Sequence, residues 1–103
     1  MDLLQQLFGG GQTADIKKII EQGAFLVDVR TAEEFAGGHV KGSVNIPLQR
    51  IPSQLSKFKN KKNIVVFCLS GGRSSQAKSI LEQNGFTNVV NAGTWSYVNQ
   101  FVQ

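Results

Sequence analysis

Short apolar runs alternate along this chain with stretches in which apolar positions recur every three or four residues. Residues 24–27 and 63–67 are almost continuously apolar but too short for helices, which is typical of strands buried on both faces of a sheet. Briefer strands are predicted at residues 44–46, where Pro47 ends the strand, and at residues 88–91. The strongest predicted strand, residues 63–67, is rich in β-branched residues and leads directly into Cys68.

Helical spacing is clearest in residues 74–84, where Ala77, Ile80 and Leu81 share one face and Gly85 is a typical stop. Further helices are predicted from four signals: a cap at Thr13, a capping box over residues 31–34, a start at Pro52, and a last segment over residues 93–102. Strands that alternate with helices predict an α/β fold. We expect a mostly parallel central sheet of about five short strands, with helices on both faces.

Length and composition indicate one compact domain over residues 1–103. The chain is 41% hydrophobic and 17% charged, a balance typical of globular proteins. The glycines at positions 9–11 separate an N-terminal leader, residues 1–12, which lacks the basic start and long apolar run of a signal peptide. No apolar stretch reaches the length of a membrane span. We therefore expect a soluble cytoplasmic protein without a membrane partner.

Charge and residue counts exclude several classes of site. A net charge of +4 permits an anionic partner, but no nucleic-acid reader motif is present and no nucleic-acid partner is expected. Four lysines between positions 57 and 62 predict a solvated loop, with steering of a small anion as the alternative. One cysteine and one histidine exclude an internal disulfide and a cysteine-rich or histidine-based metal cluster.

Cys68 is the candidate nucleophile. It lies at the carboxyl end of the predicted strand, the position where ligands bind parallel sheets. A loop of small residues and the best predicted helix follow it, and both present backbone N–H groups that favour a thiolate. Arg73 would add a positive charge suited to an oxyanion. The alternative is a buried, inert cysteine at a strand end. The predicted anion-binding loop consists of Leu69, Ser70, Gly71, Gly72, Arg73 and Ser74.

Residues 68–73 resemble the active-site loop C-x-x-G-x-R of the rhodanese family. The resemblance extends to D-V-R at residues 28–30, to E-F-A-G-G-H-V-K-G-S-V-N-I-P at residues 34–47, and to N-A-G-T at residues 91–94. These segments occur in the family's order and spacing. The resemblance implies a single-domain rhodanese-like fold.

The resemblance also implies a sulfurtransferase that needs no metal or organic cofactor. Cys68 would take a sulfane sulfur from thiosulfate or a protein persulfide, hold it as a persulfide, and pass it to a thiol acceptor or cyanide. Thiosulfate-preferring members usually have a basic residue after the cysteine, whereas this chain has Leu69. We therefore expect thiosulfate to be a poor donor, and a protein persulfide or polysulfide to be a better one.

Three other residues have alternative interpretations. Asp28 is predicted to anchor the loop by accepting N–H bonds, with a general base as the alternative. Arg30 would either reach the mouth of the site or pair with Glu34. His39 is predicted to bond the backbone in a turn, with a role beside Cys68 as the alternative.

Competing functions remain open at this point. Phosphatases of related fold have one more residue between cysteine and arginine, because phosphate needs a wider cradle than one sulfur atom. Arg73 follows Cys68 by five positions, which favours sulfur over a phosphatase or arsenate reductase. A non-catalytic interaction module is disfavoured because the cysteine is present. A carrier that relays persulfide between proteins would share the chemistry of Cys68.

Overall fold

The computed structural model describes residues 12–102, so nearly all of the predicted leader lies outside the described residues. Its centre is a parallel sheet with the strand order β2-β1-β3-β4. The strands are β1 (Phe25–Asp28), β2 (Val44–Asn45), β3 (Ile64–Cys68) and β4 (Val89–Thr94). The predicted parallel α/β fold is confirmed, with four strands in residues 12–102 where about five were expected.

β3 is the central strand for the site. All five of its residues are buried, and it pairs with β1 on one side and β4 on the other. Its pairing with β4 shifts between Val66 and Phe67, so that Cys68 lies opposite Thr94. The shift leaves an extra residue, Ala92, in β4, as in a β-bulge, and bulges commonly redirect side chains next to active sites.

Among the described residues, four α-helices surround the sheet: α1 (Gln12–Glu21), α2 (Ala32–Ala36), α3 (Gly72–Gln83) and α4 (Trp95–Asn99). The capping box that the sequence predicts at the start of α2 is present. Thr13 lies within α1 and not at its N-cap, since the helix already includes Gln12. The helix expected from Pro52 is instead a pair of 3-10 helices, Leu48–Ser53 and Leu55–Phe58.

The hydrophobic core has two parts because successive side chains of a strand point to opposite faces. Ile64, Val66 and Cys68 of β3 belong to a cluster that includes Ala77 and Leu81 of α3. Val65 and Phe67 belong to a second cluster, against which α1 and α4 pack. Helices therefore cover both faces, as predicted, and the side chain of Cys68 lies on the α3 face. Within residues 12–102, no helix is both long and apolar enough to span a bilayer.

Candidate active site

The site is built where β3 turns into α3. Cys68 is the last residue of β3 and is only 1% exposed. Leu69 and Ser70 form the exposed turn that follows, and α3 begins at Gly72. A rigid strand thus holds the sulfur atom, while the backbone of the turn and of the first helical residues curves around it.

Two backbone N–H groups donate to the sulfur of Cys68. The Gly71 nitrogen is 3.0 Å from Sγ and the Ser74 nitrogen is 3.4 Å from it. Gly71 is the N-cap of α3 and has a left-handed conformation, with φ 102° and ψ −16°, which side-chain-bearing residues rarely adopt. Its conformation and the helix N-terminus together form an anion-binding concavity around one atom.

Ser74 contributes its side chain as well. It is fully buried, with its Oγ atom 3.5 Å from Cys68 Sγ and 3.1 Å from the Gly71 carbonyl oxygen. A Cys68 thiol can donate to this hydroxyl while the hydroxyl donates to Gly71. A thiolate can instead accept the hydroxyl hydrogen. The sequence interpretation placed Ser74 in the anion-binding loop and assigned no role to its hydroxyl. The signal for that side chain was its place one helical turn after Gly71 (i+3).

Burial and hydrogen bonding shift the pKa of Cys68 in opposite directions. Burial alone would raise the pKa of the thiol. Hydrogen bonds from the Ser74 hydroxyl and from the backbone N–H groups of Ser74 and Gly71, with a smaller contribution from the nearby Ser70 N–H, together outweigh burial, so the pKa lies below its ordinary value. The local structure therefore favours the ionised, nucleophilic form of the sulfur.

Arg73 has a partner that the sequence interpretation missed. Its Nη1 donates to Glu34 Oε1 at 2.7 Å and its Nη2 to Glu34 Oε2 at 3.0 Å, so both arms of the guanidinium contact one carboxylate. This pairing, together with the Thr31 backbone N–H, holds the pKa of Glu34 at about 2. The positive charge predicted to face a donor oxyanion is thus already matched by a carboxylate.

Asp28 and Arg30 form a buried ion pair at the carboxyl end of β1. Arg30 donates to both carboxylate oxygens of Asp28, with a shortest distance of 2.7 Å, and also to the Gly38 carbonyl oxygen. The guanidinium carbon lies 4.7 Å from the centre of the Trp95 ring. Of the two alternatives for Arg30, the pair with Glu34 is not formed, because the guanidinium is bound to Asp28. Asp28 accepts the Arg30 backbone N–H, whereas it was predicted to anchor the cysteine loop.

His39 belongs to a turn beside α2. Its Nδ1 lies 2.8 Å from the Phe35 carbonyl oxygen, and its ring stacks on that of Phe35 with centroids 3.8 Å apart. The Nδ1 contact is the bond to the backbone that the sequence predicts, and the stacking holds the ring in the same turn. In the described part of the chain, no three His, Cys, Asp or Glu side chains gather as a metal site would require.

Comparison with known proteins identifies the family. The family model of the rhodanese-like domain matches residues 12–96. A thiosulfate sulfurtransferase of Escherichia coli, PspE, is 41% identical over 69 residues, covering 65% of this chain and 66% of PspE. A sulfurtransferase of Allochromatium vinosum is 38% identical over 66 residues, covering 64% and 62%. The chain thus spans somewhat less than two thirds of these relatives.

A solved structure gives the same result. A rhodanese with anions from E. coli superposes with a TM-score of 0.66 and 36% identity, over 73% of this chain and 91% of that one. This chain belongs to the rhodanese-like domain family.

Proposed function

We propose that this domain is a sulfurtransferase in which Cys68 carries a transferable sulfur as a persulfide. The observation that carries the proposal is the set of donors around Sγ: two backbone N–H groups within 3.4 Å and the Ser74 hydroxyl at 3.5 Å. Such donors stabilise an anionic sulfur, which the reaction needs both as attacking thiolate and as persulfide. The names of the relatives support the same reaction class.

The proposed reaction has two steps. The Cys68 thiolate attacks the outer sulfur of a donor, a bond forms between the two sulfur atoms, and the S–S bond of the donor breaks. Its electron pair leaves with sulfite or with the donor thiolate, and Cys68–S–S⁻ remains. An acceptor thiolate then attacks the outer sulfur, and the Cys68 thiolate leaves. The first half-reaction leaves the enzyme as the persulfide and the second leaves it with free Cys68. Alternation between these two forms gives ping-pong kinetics.

The charges around the loop support a donor other than thiosulfate. Arg30 is paired with Asp28 and Arg73 with Glu34, so neither arginine presents an unmatched charge to a dianion. Leu69, which directly follows the nucleophile, is 56% exposed and apolar. We therefore infer that organic persulfides, including those on proteins, and polysulfides are better donors than thiosulfate.

A panel of donors tests the proposed function. Incubation with a small organic persulfide should add about 32 Da to the intact protein, and a reducing agent should remove it. Cys68 is the only cysteine, so the site of addition is unambiguous. An unchanged mass with every donor, together with turnover of a phosphate ester, would instead favour a cysteine phosphatase.

Leu69→Arg should increase the use of thiosulfate by about tenfold in kcat/KM, because a new exposed cation would attract the sulfonate group. The gain should diminish as salt concentration rises. Leu69→Gln is the matched control, since it makes the position polar and adds no charge. Equal rates for the two variants would show that charge at this position does not limit the use of thiosulfate as a donor.

A further inference from the structure

A polar network next to the loop joins α2 to α3. Glu34 Oε1 accepts from the Thr31 backbone N–H at 3.0 Å, from the Thr31 hydroxyl at 3.1 Å and from Arg73 at 2.7 Å. Glu34 Oε2 accepts the second arm of Arg73. The partners are 39 positions apart in sequence, so the network fixes the start of α3 to a separate element.

The position of Arg73 in the chain places it close to both backbone donors of the sulfur site. It lies between Gly71 and Ser74, the two residues whose N–H groups donate to Cys68 Sγ. Two hydrogen bonds to one carboxylate hold the guanidinium in one orientation. The Arg73 side chain therefore connects the backbone at the start of α3 to α2. Arg73 and Glu34 are only 32% and 31% exposed, so solvent competes incompletely for the pair.

We propose that Glu34 is a positioning residue for the sulfur site, acting through Arg73 to aim the Gly71 and Ser74 amides at Cys68. In this arrangement Arg73 connects α3 to α2 through its contact with Glu34, and it does not bind the donor. Glu34 contacts neither the sulfur nor a substrate, and its effect on sulfur transfer is indirect. The kinetic part of this inference rests on the proposed sulfurtransferase activity.

Glu34→Gln separates this role from helix capping. Glutamine retains the capping box with Thr31, but its amide can accept from only one arm of Arg73. We expect persulfide formation to slow by about tenfold, since small displacements of positioned groups are costly. The amide NMR resonances of Gly71 and Ser74 should shift. Arg73→Lys, which cannot make the paired contact, should likewise slow persulfide formation and shift both resonances.

Glu33→Gln is the matched control, because Glu33 carries the same charge in the same turn of α2 and forms no ion pair in the described part of the chain. It should leave the amide resonances and the rate as in wild type. The proposal is overturned if Glu34→Gln retains the wild-type Gly71 and Ser74 resonances, or if only Arg73→Lys slows transfer. If wild type takes up sulfur from no donor, the proposed function fails, while the resonances still decide the positioning role.

Discussion

Replacement of Cys68 by alanine is expected to abolish sulfur uptake completely, with no mass increase from any donor. The reason is chemical: no other side chain in the sequence is a thiol, so nothing else can hold a persulfide. The fold should persist, since Cys68 occupies a small volume in a core cluster with ten other buried residues. Loss of one buried sulfur atom should cost about 1 kcal/mol of unfolding free energy.

The measurement is intact mass before and after donor treatment, with circular dichroism to confirm the fold. A Cys68→Ala protein that still transferred sulfur to an acceptor would contradict the mechanism.

The same variant shows how the ionisation of Cys68 contributes to the free energy of unfolding. Because the pKa of Cys68 is lower in the folded protein than in the unfolded chain, the thiolate adds stability as pH rises between those two values. Wild type should therefore gain stability over Cys68→Ala in that window, and lose this gain on acidification.

Gly71→Ala is expected to slow sulfur transfer by about a hundredfold, because it turns the closest N–H donor away from Sγ. A Cβ atom at this position meets only the Gly93 Cα, at an ordinary 3.7 Å, so crowding is not the cause. The cause is the φ of 102°, which alanine adopts only at a cost of about 1–2 kcal/mol. The pKa of Cys68 should rise as the hydrogen bond from Gly71 weakens.

Gly85→Ala provides the control for backbone strain alone. Gly85 follows the other end of α3 and has φ 93°, and a Cβ atom there would have no described neighbour within 4 Å. Both variants should lose similar unfolding free energy in denaturant titrations. Only Gly71→Ala should change the titration of Cys68 and the rate of transfer. Equal kinetic losses in both variants would show that general destabilisation, not the amide, accounts for the effect.

Much of the fold could be predicted from the sequence because its signals are local. The apolar run at residues 64–67 is buried on both faces of the sheet, and Gly85 follows α3 closely. The loop after Cys68 was also predictable, since its small residues and the helical pattern that follows are features of the chain itself, although the helix was predicted from residue 74 and begins at Gly72.

The carboxylate partners of the two arginines could not be predicted from local signals. Arg73 and Glu34 are 39 positions apart, and their contact depends on how α2 and α3 pack. Arg30 has Glu34 four positions away and Asp28 two positions away, so sequence spacing favours neither. Burial decides between them: Asp28 is fully buried and needs a matching charge, whereas Glu34 remains partly in solvent.

The central claim is that the hydrogen-bond donors around Cys68 lower the pKa of its thiol in the folded protein. Ultraviolet thiolate absorbance, titrated in wild type with Cys68→Ala as the blank, tests it directly. The account predicts a midpoint below the roughly 8.5 of a free cysteine, and a return to that value in denaturant. A folded-state midpoint at or above the unfolded one would contradict it.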